Sequence, residues 1–273
     1  MMLDKKLIFS KKSIGRFPEN SEIVDIIKKI NIDMNGGYDL SISNFFDSKH
    51  PTFFNSKNPE LFYPDNGDFN GNISKGGTCN VPSVSLDIHC TGTHTECRGH
   101  ISDSDIFIND ISPKHFISSI LISVNPVIAN NCLDRYHVRY GKNDLVITKD
   151  SLIKNLGIKK QHLDAVIIRT LPNTSEKKTQ NYDHYPAPFF TNDAIEFLLE
   201  LDVKHLLVDI PSIDKANDNG KLGNHHIFFK KGKTISELLY IPNSIKDGFG
   251  YLQIQIPNWS LDAAPSRPIF YPI

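Results

Sequence analysis

A single α/β domain with mixed sheets is predicted by three features of the 273-residue sequence. Residues 164–170 (DAVIIRT) and 205–210 (HLLVDI) are short apolar runs that read as buried strands. Between them, residues 191–201 (TNDAIEFLLEL) place Ile195, Leu198 and Leu199 on one face, with Thr191 as cap and Asp193 in the first turn. That is the pattern of an amphipathic helix with a complemented N-terminus. Strand, helix and strand in that order imply a right-handed crossover and a parallel pair. A chain of this length can bury a substantial core, and no shift in composition marks a linker.

The other elements follow in chain order. In residues 20–31 (NSEIVDIIKKIN), Ile23, Ile26, Ile27 and Ile30 recur at helical spacing behind an Asn/Ser cap. Residues 1–37 are therefore read as an N-terminal helical extension, and 38–273 as the main domain. Residues 38–43 (YDLSIS) read as a short strand. Residues 44–82 are rich in Asn, Asp, Gly, Pro and Phe without a sustained period, which suits a lid or a set of binding loops. The aromatics there, Phe45, Phe46, Phe53, Phe54, Phe62, Tyr63 and Phe69, either line a pocket or anchor the loop to the core. Residues 84–88 read as a strand, and 119–128 as an apolar strand. Residues 148–156 read as a short helix capped by Thr148. Residues 234–240 read as a short helix, and 252–256 alternate as a strand.

Hydrophobic residues make up 39% and charged residues 22%, the balance of an ordinary globular protein. The formal net charge of -1 supplies no basic field for nucleic acid or an anionic membrane. No apolar run approaches the ~20 residues that span a bilayer. Leu7–Phe9 is too short for a signal-peptide core, so a cytoplasmic location is expected. Cys79, Cys90, Cys97 and Cys132 show no C-x-x-C spacing and are expected as free thiols. There is no G-x-S-x-G, P-loop, G-x-G-x-x-G or H-E-x-x-H pattern. Serine hydrolase, nucleotide-cofactor and zincin templates are thereby disfavoured.

Chemistry concentrates in residues 89–100, HCTGTHTECRGH. His94, Glu96 and His100 are separated by even numbers of residues, so in an extended segment they share a face. Cys90 lies on that face and His89 on the other. Two imidazoles and a carboxylate on one side suit a divalent metal with a proton carrier; the alternative is a decorated solvated turn. Gly92 and Thr93 suit a close backbone approach or a bulge. A second group, residues 223–237 (GNHHIFFKKGKTISE), offers His225, His226 and Glu237. Together the two segments hold donors enough for one or two ions. Between them, VDIPSID at 208–214 follows a strand end, where sites often lie. Asp209 is the better site candidate there, with Asp214 read as a turn hydrogen-bonder.

These motifs together resemble the cyclase-like metal-dependent hydrolases, whose signature is H-x-G-T-H-x-D-x-P-x-H. The matching stretch is Cys90-Thr91-Gly92-Thr93-His94-Thr95-Glu96-Cys97-Arg98-Gly99-His100. YDLSIS, DAVIIRT, VDIPSID, the spacing of His225, Gly232 and Glu237, and DAAPSRPI at 262–269 extend the likeness to the C-terminus. The resemblance implies a swivelling β/β/α fold, a homodimer or larger homo-oligomer, and one or two Zn2+ or Mn2+ ions. It implies His94, Glu96, His225 and Glu237 as metal ligands and His100 as general base or acid. Cys90 stands where the signature has its first histidine, Glu96 where it has aspartate, and Arg98 where it has proline. Either Cys90 ligates as a thiolate or a one-residue bulge turns His89 inward, and His89 is favoured because nitrogen and oxygen donors dominate the set. Arg98 either binds a substrate carboxylate or is a surface residue.

The implied activity is hydrolysis of a small amide, lactam or ester in the manner of an arylformamidase, with His100 moving the proton. Two alternatives are a metal-dependent lyase, dehydratase or cyclase using the same ligands, and a non-catalytic binding protein of this fold.

Overall fold

The computed structural model describes residues 2–3, 6–7, 36–46, 50–103, 105–111, 115–156, 163–230 and 232–273. The helix expected over 20–31 lies outside the described residues. In chain order the strands are β1 (Met2–Leu3), β2 (Lys6–Leu7), β3 (Tyr38–Asp39), β4 (Glu60–Phe62), β5 (Ser83–Ser85) and β6 (His94–Glu96). They continue with β7 (Ile117–Val124), β8 (Val127–Ile128), β9 (Leu145–Ile147), β10 (Ala165–Thr170), β11 (Phe189–Phe190) and β12 (His205–Val208). The last are β13 (Thr234–Glu237), β14 (Gly248–Gln255), β15 (Ala263–Pro265) and β16 (Arg267–Pro272). The described α-helices are α1 (Lys149–Leu156), α2 (Asn192–Glu200) and α3 (Gly223–Phe228).

Nine strands form one sheet in the order β15-β6-β13-β12-β10-β7-β14-β16-β3. Its centre is parallel: β10 pairs in parallel with both β7 and β12, and β12 with β13. Its flanks are antiparallel. The helix between β10 and β12 is α2, so the expected crossover and parallel pair are present, and α1 makes the corresponding link from β7 to β10. Both helix caps form as the sequence suggests, with Thr191 Oγ1 accepting from Ala194 N and Thr148 Oγ1 from Ser151 N. All six residues of β10 are buried, as expected for a central parallel strand covered on both faces. On one face Val166, Ile168, Leu206 and Val208 pack against Leu152 of α1, Ile195 and Leu198 of α2 and Phe228 of α3. On the other, Ala165, Ile167 and Leu207 pack against Leu252, Phe270 and Leu40 from the antiparallel wing. Strands β15 and β16 are one run interrupted only at Ser266, and they serve opposite flanks of the sheet. The sheet therefore curls back on itself: a bridge joins Ser41, just past β3, to Leu239, just past β13.

Three local expectations are corrected. Residues 234–240 are not helical, because Thr234–Glu237 is strand β13, paired with β12 on one side and β6 on the other. Two ladders use backbone groups that an isolated helix would have bonded internally, and tertiary pairing overrides local preference. Residues 84–88 do not lead as a strand into the histidine segment. Strand β5 ends at Ser85 in an exposed antiparallel pair with β4, and a turn follows. Residues 89–100 are extended only at His94–Glu96, with a 3-10 turn over Arg98–Ile101.

Candidate metal centre

Strand β6 lies between β13 and β15, and its register builds the inner wall of the site. His94 is opposite Glu237 on β13 and Pro265 on β15; Glu96 is opposite Ile235 and Ala263. Directly opposed residues of an antiparallel pair project from the same face. Hence His94, Glu96 and Glu237 share one side, and the short Ala263 and Pro265 leave them room. Thr95 points the other way, bonding to the hydroxyls of Ser236 (2.7 Å) and Ser266 (2.8 Å). Thr93 fixes the strand's entry by accepting from Ile42 N and donating to the carbonyl of Leu238. The preceding Gly92 has no room for a side chain, since a Cβ would fall 2.1 Å from Asn44 Oδ1.

The remaining donors come from turns and from α3. His225 sits on α3, with its Nε2 3.0 Å from Glu96 Oε1 and 3.7 Å from Glu237 Oε1. His89 Nδ1 is 3.1 Å from Glu96 Oε2, His100 Nε2 is 3.7 Å from the same oxygen, and His94 Nε2 is 3.7 Å from Glu237 Oε2. Six of the residues singled out in the sequence are thus brought to one place. His94, Glu96, His225 and Glu237 are buried, while His89 and His100 are partly exposed and form the outer wall. Cys90 is elsewhere: it packs beside Phe53, Tyr182 and Leu238, and burial pushes its thiol up to about 12. Arg98 and His226 are exposed. Among the described residues, His89, His94 and Glu96 form one possible ion-holding group, and Glu96, His100 and His225 another.

Four atoms at the centre, His89 Nδ1, His94 Nε2 and both carboxylate oxygens of Glu96, are buried without a hydrogen-bond partner. Glu96 makes close ion pairs instead, at 3.0 Å to His225 Nε2 and 3.1 Å to His89 Nδ1. Imidazoles and a carboxylate converging in this way fit a divalent cation.

The charge distribution fits as well. Burial would raise the Glu96 pKa, but His225, His89 and His100 outweigh it and hold this carboxyl well below the usual range. Burial, reinforced by the Glu96 charge, pushes Glu237 up to about 8. Burial likewise pushes His94 down to about 4, leaving a neutral imidazole. Burial opposes protonation of His225 and His89, yet their carboxylate neighbours prevail, raising His225 well above its ordinary value and His89 to about 10.

Two carboxylates orient these histidines; the sequence reading undervalued Asp214 and did not single out Asp262. Asp214 Oδ2 accepts from His225 Nδ1 at 2.8 Å and also from His225 N; its Oδ1 accepts from Asn224 N and from Tyr136 Oη. Asp209, preferred from the sequence, is instead tied to Lys177 and Thr170. Strand β12 ends at Val208, so Asp209 stays against neighbouring β10, whereas Asp214 lies beyond the turn, where α3 begins. Asp262 Oδ2 accepts from His89 Nε2 at 2.9 Å and from His100 Nδ1 at 3.3 Å. Its only sequence signal was its place at the head of DAAPSRPI. Leu222 and Leu238, which flank α3 and β13, have φ of 44° and 54°. Left-handed backbone at bulky residues costs about 1–3 kcal/mol and concentrates where a site over-determines the chain.

The Cyclase family model, described as "Putative cyclase", matches residues 38–215. Kynurenine formamidase of Bacillus thuringiensis (strain Al Hakam) is 24% identical over 198 residues, covering 72% of this chain and 82% of that protein. Kynurenine formamidase of Bacillus anthracis is 24% identical over the same length and coverage. Among solved structures, isatin hydrolase A from Labrenzia aggregata superposes with a TM-score of 0.62 at 14% identity, covering 91% of this chain and 99% of that one. A protein described as a predicted metal-dependent hydrolase from Bacillus stearothermophilus gives 0.57 at 21% identity, covering 86% and 97%. These structures share the fold.

Proposed function

Because this chain belongs to the cyclase family, we propose that it is a metal-dependent hydrolase of a small amide, lactam or ester, cleaving a non-peptide C–N bond in the manner of an arylformamidase, or the corresponding C–O bond of an ester. The observation that carries this is the convergence of four buried atoms without hydrogen-bond partners, from His89, His94 and Glu96, beside His225 and Glu237. In this proposal His89, His94, Glu96, His225 and Glu237 hold one or two divalent ions, Zn2+ or Mn2+. Glu96 turns one oxygen toward each side of the site, Oε1 toward His225 and Oε2 toward His89. When bound, such an ion supplies a Lewis acid for the carbonyl oxygen and acidifies water from a pKa of about 15.7 toward about 7.

The chain's own residues do the rest. His100 is partly exposed on the outer wall, with Nε2 directed at Glu96 and Nδ1 at Asp262. An imidazole so placed takes the proton of the attacking water and returns it to the leaving nitrogen. Water oxygen bonds to the carbonyl carbon, the C–N bond breaks, and the transferred proton completes the amine. Buried His94 remains neutral and Glu96 remains charged, which keeps the inner wall ready for a cation while proton traffic runs along the outer wall. Arg98 is exposed, so no substrate contact is built on it.

The test pairs metal analysis with turnover of an N-formylaniline and lactam panel in 18O-labelled water. One or more tightly held zinc or manganese ions per chain and label in the acid product are expected. His100→Ala should keep its ions and lose activity by about 10²–10⁴-fold. Full turnover in His100→Ala, or product without label, refutes the assignment.

A further inference from the structure

Within the ligand set, His89 differs from its neighbours in the nitrogen it directs inward. His94 and His225 present Nε2 to the cluster and use Nδ1 to hold a backbone carbonyl (Gly92 O, 3.0 Å) and a carboxylate (Asp214, 2.8 Å). His89 presents Nδ1, and its Nε2 faces outward to Asp262. The ring enters from a turn rather than from the strand face, so its near nitrogen reaches Glu96.

Beside it His100 is arranged in reverse, with Nε2 inward and Nδ1 on the same Asp262 oxygen. The two rings stack at 4.1 Å with 27° between their planes. Four groups thus close a cycle through one oxygen at each end. Glu96 Oε2 meets His89 Nδ1 at 3.1 Å and His100 Nε2 at 3.7 Å; Asp262 Oδ2 meets His89 Nε2 at 2.9 Å and His100 Nδ1 at 3.3 Å.

We infer that Asp262 is a shared positioning residue that fixes the tautomers of a metal ligand and of the proton carrier together. A neutral imidazole has one N–H and one lone pair. A carboxylate oxygen can only accept, so once a cation has displaced the second proton of His89 each neutral ring commits its N–H to Asp262 and turns its lone pair inward. For His89 that lone pair, on Nδ1, is what a cation needs. For His100 the lone pair, on Nε2, is what a general base needs. The demand on His100 is the greater, because it requires N–H at Nδ1 whereas a free histidine side chain in water favours N–H at Nε2. Asp262 has few competing obligations, since its side chain is 37% exposed and its backbone carbonyl separately accepts from Cys97 N.

The inference rests on the hydrolase reading for the meaning of the inward lone pairs, but its test does not depend on activity. Long-range 1H–15N spectra of the full-length protein at pH 8, with and without one equivalent of zinc, report the His100 tautomer directly. The wild type should show N–H at Nδ1 in both. Asp262→Ala should shift His100 toward N–H at Nε2, lower zinc affinity by about 10–100-fold, and lower kcat more than it raises KM. Asp262→Asn keeps one acceptor oxygen and should restore the Nδ1–H tautomer and part of the affinity. An unchanged His100 tautomer in Asp262→Ala overturns the inference, even if the variant is less stable or less active. Absence of zinc binding by the wild type would sink the hydrolase reading alone, because the metal-free spectra still decide the role of Asp262.

Discussion

Replacing Asp214 by Asn isolates the contribution of a carboxylate that orients His225. Its two oxygens accept four donors, Tyr136 Oη and Asn224 N on Oδ1 and His225 N and Nδ1 on Oδ2. An amide keeps one acceptor and turns an NH2 toward the other two donors. Each buried donor left unpaired costs about 1–3 kcal/mol, so Asp214→Asn should lose roughly 2–6 kcal/mol of stability. That is a large part of the ~5–15 kcal/mol typical of a folded domain. It should also weaken zinc binding by about 10–100-fold, equivalent to about 1.4–2.7 kcal/mol, because His225 loses the bond that aims Nε2 at Glu96. Asp209→Asn is the control. Asp209 is equally buried and accepts from Thr170 N, Thr170 Oγ1 and Lys177 Nζ, yet none of these belongs to the cluster. It should destabilise the fold and leave zinc affinity unchanged. Chelator competition measures affinity, and thermal unfolding of the metal-free proteins measures stability. Zinc affinity within threefold of wild type in Asp214→Asn, or an equal loss in Asp209→Asn, would refute the link through His225.

Other outcomes follow from the same geometry. His89→Ala should lose zinc affinity, while Cys90→Ser, which alters only the packing against Phe53, Tyr182 and Leu238, should keep full stoichiometry. The reverse order in an affinity titration would return the ligand role to Cys90. Zinc uptake at pH 7 should release protons, because His89, raised to about 10, and His225, raised well above its ordinary value, both carry one there. Calorimetry in buffers of different ionisation enthalpy counts them, and a buffer-independent heat would contradict this. Groups with raised pKa contribute stability that is complete below their unfolded values and lost as pH rises through the folded ones. The melting temperature of the metal-free protein should therefore fall between about pH 7 and 10, with Glu237, raised to about 8, acting in the same direction. In acid the sign reverses for Asp214, whose lowered pKa supplies stability above the ordinary carboxylate range that is lost as pH falls through the folded value. Circular-dichroism melts at each pH, with Asp214→Asn alongside, check both limbs.

How much of the molecule was legible depended on whether the signal was local. The β10–α2–β12 unit was read correctly because apolar runs, the Thr191 cap and the crossover rule are all short-range statements. The parity of His94 and Glu96 held because those residues do lie on a strand. Parity could not reach His100, which arrives on a 3-10 turn, or His89, which arrives from a turn before the strand. The segment TISELLY suggested a helix because nothing within it records that β12 and β6 will take its backbone bonds. Asp214 was undervalued for a similar reason: its importance lies in facing His225, eleven residues later on a helix the sequence did not announce.

The site therefore exists where the curled sheet meets itself. Strand β6 alone supplies an imidazole and a carboxylate on one face, which water would solvate in an open hairpin. Pairing with β13 on one side and β15 on the other buries that face and sets Glu237 opposite His94, with small residues opposite Glu96 and His94 on the β15 side. The carboxylates that aim the histidines come from separate connections, Asp214 from the turn after β12 and Asp262 from the turn before β15. Closure of the sheet is thus a condition for the chemistry as well as for the core. A substitution that loosens the β15 edge, such as Ala263→Asp opposite Glu96, should disturb the cluster before it disturbs the helical face packed on β10. Loss of zinc affinity with retained cooperative unfolding is the expected signature, and simultaneous collapse of both would show that site and core are one unit.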